Sequence, residues 1–140
     1  MGLAFDAAGL SAYMAEIFPQ VADDFAVDEL TEAGITMRLL TAERHLRPGG
    51  TVSGPSMFAL ADVTVYGLVL SRLGRKALAV TTNCSLDFMR KPEAGVDLIA
   101  KGTLLKLGRS LAVGDVHMFS AGSDKMVARS TMTYSIPPEK

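Results

Sequence analysis

The chain has no tryptophan, one cysteine, two histidines and an aromatic share of only 6%. Each scarcity closes off a class. Cys84 has no partner for an internal disulfide, so a disulfide-stapled secreted scaffold is excluded and a reducing, cytoplasmic setting is expected. Two histidines do not by themselves build a zinc site, and no P-loop, dinucleotide fingerprint or metal-ligand spacing is present. Charged residues are 21% of the chain, 14 basic against 15 acidic, with a pI near 6.1. There is no basic excess of the kind that nucleic acid or an anionic membrane demands of a partner. The opening residues lack a basic stretch followed by an apolar one, so no signal peptide is expected. Asp6 stands where a Met1-Gly2 myristoylation signal needs Ser or Thr. No repeat or low-complexity tract interrupts the sequence.

What the chain has is core material. Of its 140 residues 49% are hydrophobic and the mean hydropathy is +0.26, which excludes disorder and suits one domain, read here as 1–140. One run is apolar enough to be taken for a membrane span, from Pro55 to Ser71. It falls short of the roughly 20 residues a bilayer helix needs, and Asp62 sits near its middle at a cost of about 2.5–3.5 kcal/mol in lipid. A helix buried inside a soluble protein fits better.

Asp6 is placed to cap an amphipathic helix carrying Leu10, Tyr13, Met14, Ile17 and Phe18, ended by Pro19 (about 6–19). The acidic connector from Val21 to Gly34 reads as a solvated loop or edge. Ile35, Met37 and Leu39 alternate with polar residues as a strand running towards Ala42. The loop Arg47-Pro48-Gly49-Gly50-Thr51-Val52-Ser53-Gly54 then opens the long helix, about 55–73, with Ser53 as N-cap, Pro55 in the first turn and Gly74 at the stop. Beyond Arg75 the period changes to two. Leu78, Val80, Thr82, Cys84, Leu86 and Phe88 make one face of a strand; further strands follow through Val96–Gly102, Leu111–Phe119 and Met126–Tyr134. The expected class is α+β, an antiparallel meander of four strands laid on an apolar helix. A helix apolar nearly all round needs a curved sheet around it and a second copy over the rest, so a homodimer is expected.

Asp62 is the only Asp, Glu, Lys, Arg or His between Pro55 and Ser71. Burial disfavours an ionised carboxylate unless it is paired or faces a wet cleft, so Asp62 either lies on an exposed stripe or serves as a general base or nucleophile. The helix start offers a complementary group, the unpaired N–H of Gly54 at the positive end of the helix dipole. Eight residues of helix separate the two by about 12 Å, whereas a reacting carbonyl needs both within roughly 3 Å. If both act on one carbonyl, they come from two antiparallel protomers.

The stretch Ser53-Gly54-Pro55-Ser56-Met57-Phe58-Ala59-Leu60-Ala61-Asp62 resembles the helix-opening motif of hotdog-fold acyl-CoA thioesterases of the phenylacetate-degradation (PaaI-like) type, typically His-Gly-Gly, two residues, Phe, one residue, Leu-Ala-Asp. Asp87-Phe88-Met89-Arg90-Lys91-Pro92 and Gly108-Arg109-Ser110-Leu111-Ala112 resemble a later strand end and hairpin of that family, and the likeness runs from about Ile35 to Pro137. It implies the hotdog fold, a homodimer with two sites at its interface that pairs further into a homotetramer, and hydrolysis of an acyl-CoA. Asp62 matches the catalytic carboxylate and Gly54 the backbone donor. Thr81, Thr82 or Asn83 falls where a group positions the attacking water. Coenzyme A enters as part of the substrate, and no metal or separate cofactor is implied. Two positions depart from the motif: Ser53 replaces His, and Arg47 replaces an Asn that orients substrate or water. Loss of that amide implies slow turnover, a displaced water or another substrate. Two alternatives follow, a non-catalytic acyl-CoA-binding module and, with no histidine soon after Asp62, less well an enoyl-thioester hydratase.

The other polar residues read more simply. Arg90, Lys91, Lys106 and Arg109 suit phosphate contacts, although most basic turns are only solvated. His45 reads as a surface or capping residue, His117 as a satisfied residue on an apolar strand face, and Cys84 as packing. Met57, Val65 and Tyr66 are expected to shape the acyl pocket together with the partner's loops.

Overall fold

The computed structural model describes residues 2–138; of the expected domain 1–140, Met1, Glu139 and Lys140 lie outside the described residues. Helix α1 (Ala7–Ile17) starts where expected, the Asp6 carboxylate accepting the Gly9 N–H at 2.7 Å. Strands β1 (Phe25–Thr31) and β2 (Gly34–Leu39) precede the long helix α2 (Gly54–Leu73), and β3 (Val80–Phe88), β4 (Leu98–Leu107), β5 (Leu111–Ser120) and β6 (Met126–Ser135) complete the chain. The six strands form one antiparallel sheet in the order β1-β2-β4-β5-β6-β3, packed on α2. This is the α+β hotdog fold.

Of the two readings of the acidic connector, solvated loop or edge, the structure shows the edge: it contains an edge strand, β1, whose alternation is hidden by a bulge at Asp28. Phe25, Val27 and then Leu30, rather than Glu29, pack towards the core, with Leu30 opposite the buried Ile35. One expectation about topology is corrected, because four consecutive meander strands are not what forms. Both edges of β4 are taken, by β2 (Met37 opposite Ala100) and β5 (Ala100 opposite Met118), so β3 pairs instead with the open edge of β6 (Cys84 opposite Met132). The chain leaving β3 is pinned there, the Met89 and Arg90 N–H groups both donating to the Val127 carbonyl.

α2 is one helix long and apolar enough to cross a membrane by length and composition, and it is spent as core. Leu60, Ala61, Thr64, Val65, Val69 and Leu70 are fully enclosed. Thr64 is tolerated because its hydroxyl donates to the Leu60 carbonyl at 2.6 Å. The sheet can close round the helix because its middle strands turn small residues inward: Ala100 and Gly102 on β4, Ala112 and Gly114 on β5. A methyl group on Gly102 would sit 2.7 Å from Thr64 Cγ2, and one on Gly114 2.9 Å from Val65 Cγ2.

This packing corrects the expected faces of two strands. On β5 the inward residues are Ala112, Gly114, Val116 and Met118, while His117 lies on the outer face with its Nε2 3.1 Å from Asp115 Oδ2. Choosing the face with the larger apolar residues fails here because the helix demands the smaller ones. Val65, expected in the acyl pocket, is fully buried against Gly114. On β3 a bulge between Thr81 and Asn83 shifts the phase, so Thr81 joins Cys84 and Leu86 on the inner side and Val80 is 57% exposed.

Gly114→Ala is expected to destabilise the protein by about 1–3 kcal/mol, the cost of overpacking a filled core, read as a lower urea midpoint with an unchanged m-value.

Candidate active site

The loop from Thr41 to Ser53 sets the start of α2. His45, expected at the surface or capping, is buried and does cap. Its Nδ1 accepts the Ala42 N–H at 2.9 Å, its carbonyl accepts the Ser53 N–H at 2.8 Å, and its Nε2 lies 3.2 Å from Asp24 Oδ1. That carboxylate also takes the Arg44 guanidinium. Ser53 caps α2, its Oγ accepting the Ser56 N–H at 3.3 Å. Gly54 follows as the first helical residue. Its N–H belongs to the helix's first turn, where no carbonyl of the preceding turn is available. It lines a cleft of about 420 Å³ together with Arg47, Met57, Phe88, Arg90 and Lys91.

Asp62 lies two turns further along and half-buried between the enclosed Ala61 and Val63. Its Oδ1 accepts two hydroxyl protons, from Thr81 Oγ1 at 2.5 Å and from the Tyr134 phenol at 2.7 Å. Oδ2 accepts no hydrogen bond from the described residues. One oxygen is thus anchored and the other takes no hydrogen bond from the described residues, and Asp62 lines a second cleft of about 390 Å³ with Phe18, Tyr66, Ala79, Thr81 and Tyr134. Burial, and then the Asp62 charge, pushes the Tyr134 phenol far above its ordinary pKa, so it remains a neutral donor. Its ring stacks on Tyr66 at 5.8 Å, and the Tyr66 hydroxyl donates to the Ala77 carbonyl at 2.6 Å.

Among the residues picked out in the sequence, the structure brings Asp62 and Thr81 together. It gathers Gly54, Arg47, Arg90 and Lys91 around the other cleft, at the helix start that Ser53 caps; Ser53 itself is not among the residues lining that cleft. Within one protomer Asp62 and Gly54 line different clefts. Thr82 is the bulged residue, exposed, its hydroxyl 3.4 Å from the Thr133 carbonyl, and Asn83 lies opposite Thr133 and is exposed. Neither is among the residues lining the Asp62 cleft. Arg109 lines a separate groove with Leu73, Ile136 and Pro137 at the far end of α2, and Lys106 is exposed on β4. Cys84 is half-buried with its Sγ 3.8 Å from Ser130 Oγ. Tyr66 borders the Asp62 cleft and Met57 the Gly54 cleft. Tyr134 is the site residue that pattern reading missed. Its signal was an inward tyrosine on the last strand, whose phenol must find a partner once buried. Among the described residues no cluster of three or more His, Cys, Asp or Glu side chains could hold a metal ion.

A carboxylate that lines a cleft with one oxygen fixed can take a proton from water or attack an electrophile, and a free amide at a helix start can receive an oxyanion. The thioesterase superfamily matches residues 49–127, which contain both groups. A solved structure of a candidate thioesterase from Silicibacter sp. TM1040 is 69% identical, covering 99% of this chain and 96% of its own, with a TM-score of 0.93. A variant of the phenylacetic acid degradation protein PaaI from Thermus thermophilus is 27% identical over 84% of this chain and 97% of its own, at a TM-score of 0.71. A hypothetical thioesterase protein from Streptococcus pneumoniae TIGR4, solved with coenzyme A, shares the fold at 19% identity and a TM-score of 0.77, covering 91% and 98%. The chain belongs to the thioesterase superfamily.

Ser53→Ala is expected to cost about 1 kcal/mol of stability through loss of the helix cap, measured by urea unfolding, whereas Ser53→Asp, which keeps a capping oxygen, is expected to unfold near the native midpoint.

Proposed function

We propose that the protein is a cytoplasmic, PaaI-like acyl-CoA thioesterase working as a homodimer or a pair of dimers. The observation that carries this reading is the Asp62 carboxylate, Oδ1 held by two hydroxyls and Oδ2 accepting none from the described residues, on a side chain that lines a cleft. In the proposed reaction Asp62 takes a proton from water, whose oxygen adds to the thioester carbonyl carbon, or Oδ2 attacks that carbon itself. The Gly54 N–H of the partner protomer receives the oxyanion. Collapse of the tetrahedral centre breaks the C–S bond and expels the coenzyme A thiolate, which needs little acid help; on the nucleophilic route water then releases the acyl group from Asp62.

Three features support a second copy. Asp62 and Gly54 lie about 12 Å apart along one helix and face different clefts, so one protomer does not present both to one carbonyl. β3 is an edge strand, and its only charge, Asp87, is paired with Arg129. Val80 and Phe88 on it, and Leu78 and Met89 beside it, are all more than half exposed, so this edge lacks the run of charge that Asp28 and Glu29 give β1. Arg47, Arg90 and Lys91 round the Gly54 cleft suit the phosphates of coenzyme A, and the coenzyme A complex of the streptococcal fold relative is consistent with that use.

Thiol release from short, medium, long and aryl acyl-CoAs tests the activity. The native protein is expected to turn over at least one of them, and Asp62→Asn to lose at least ~10²-fold in kcat. Binding of acyl-CoA without thiol release would assign a binding module instead. In sedimentation equilibrium the particle is expected at twice the 14.8 kDa chain mass or a multiple of it; a monomer would remove the shared-site mechanism.

A further inference from the structure

We propose that Tyr134 is a positioning residue for the Asp62 chemistry: with Thr81 it fixes Oδ1 by hydrogen bonds and so reserves Oδ2 as the reacting oxygen. The inference rests on the function proposed above and adds to it the residue that decides which carboxylate oxygen works. Both donors reach the same oxygen, Thr81 from the edge strand and Tyr134 from its neighbour, paired residue against residue in the sheet. Carboxylate rotation would have to break two hydrogen bonds to a charged acceptor at once. The phenol is also 3.1 Å from the Asp62 backbone carbonyl, so it spans side chain and helix backbone. It is 3% exposed, and its ring is clamped by Tyr66, which is itself tied to the Ala77 carbonyl.

The position of Thr81 is as specific. Without the bulge at Thr82, strict alternation would place Thr81 on the face opposite Cys84 and Leu86. The bulge brings its hydroxyl to the inner side, where Tyr134 already points. The groups facing the carboxylate from the packed elements are few. Tyr134 comes from β6, Tyr66 from α2 itself, Thr81 and Val80 from β3, and Ile17 from α1; beyond the two tyrosines none of these titrates. A change in the behaviour of Asp62 on altering Tyr134 therefore reports on this contact.

Tyr134→Phe keeps the ring and removes the donor. In the Asp62-dependent reaction kcat is expected to fall about 10- to 100-fold with KM little changed, the size of a lost hydrogen bond to a charged group. Thr81→Val, which removes the other donor to the same oxygen, is expected to lower kcat in the same way, and the double variant to lose less than the product of the two single losses, since both donors serve one carboxylate. Placing 3-fluorotyrosine at position 134, a donor of nearly the same shape, keeps the hydrogen bond and should hold kcat near native; this variant serves should Tyr134→Phe fail to fold. A native kcat in Tyr134→Phe, with Asp62→Asn inactive, would overturn the inference and leave the thioesterase reading standing. If Asp62→Asn retains activity, the function reading fails instead. The 13Cγ resonance of Asp62 then judges the contact alone: a displaced resonance in Tyr134→Phe supports it, and an unchanged one overturns it.

Discussion

The structure is organised round one constraint. A helix that is apolar on nearly every side has to be covered, and it carries in its middle a carboxylate that must not be left dry and unpaired. Covering α2 requires a sheet that curves, and close approach along the middle strands requires residues as small as Gly102 and Gly114. Pairing Asp62 requires donors aimed at it, and these come from the last two strands of the sheet, β6 and β3, as Tyr134 and Thr81. The same packing that encloses Leu60, Val65 and Val69 leaves one side of the helix, at Asp62, facing a cleft.

The strand order follows from the same need. Placing β3 beyond β6, rather than beside β4, brings Thr81 next to Tyr134 and leaves β3 as an exposed edge. The bulge at Thr82 then has a local consequence, since it turns one hydroxyl inward and sets Thr82 and Asn83 aside from the carboxylate. At the other end of the element, the loop through His45 and Ser53 holds the helix start open, with Gly54 bordered by Arg47, Arg90 and Lys91. A carboxylate midway along the helix and an amide at its start are thereby presented in separate clefts, an arrangement that suits sharing between two copies.

Much of this was legible in the residues. The long run from Pro55 to Ser71 interrupted only by Asp62, the Ser53 cap and the Gly74 stop located α2 and its one charge, because an isolated carboxylate among apolar neighbours has few bland explanations. The two-residue period located β3 to β6. Three features were hidden for physical reasons. β1 was masked by its acidic residues and by a bulge that breaks the alternation. The inner face of β5 was misread because Gly114 and Ala112 are core residues through what they leave room for, a property that hydrophobicity does not measure. Tyr134 stood on the right face of the right strand, but its partner lies 72 residues away along the chain.

The sequence by itself determined which element is buried, which single carboxylate lies on it and how far that carboxylate is from the helix start, since periodicity, capping and rise per residue are local properties. It also carried the motif by which the family is recognised. Only the tertiary structure decided that Thr81 rather than Thr82 or Asn83 meets Asp62, that Tyr134 joins it on the same oxygen, and that Arg109 belongs to another groove. Those outcomes depend on strand order, on register and on one inserted residue in an edge strand, and a one-residue change of phase sends every side chain that follows it in the strand to the opposite face.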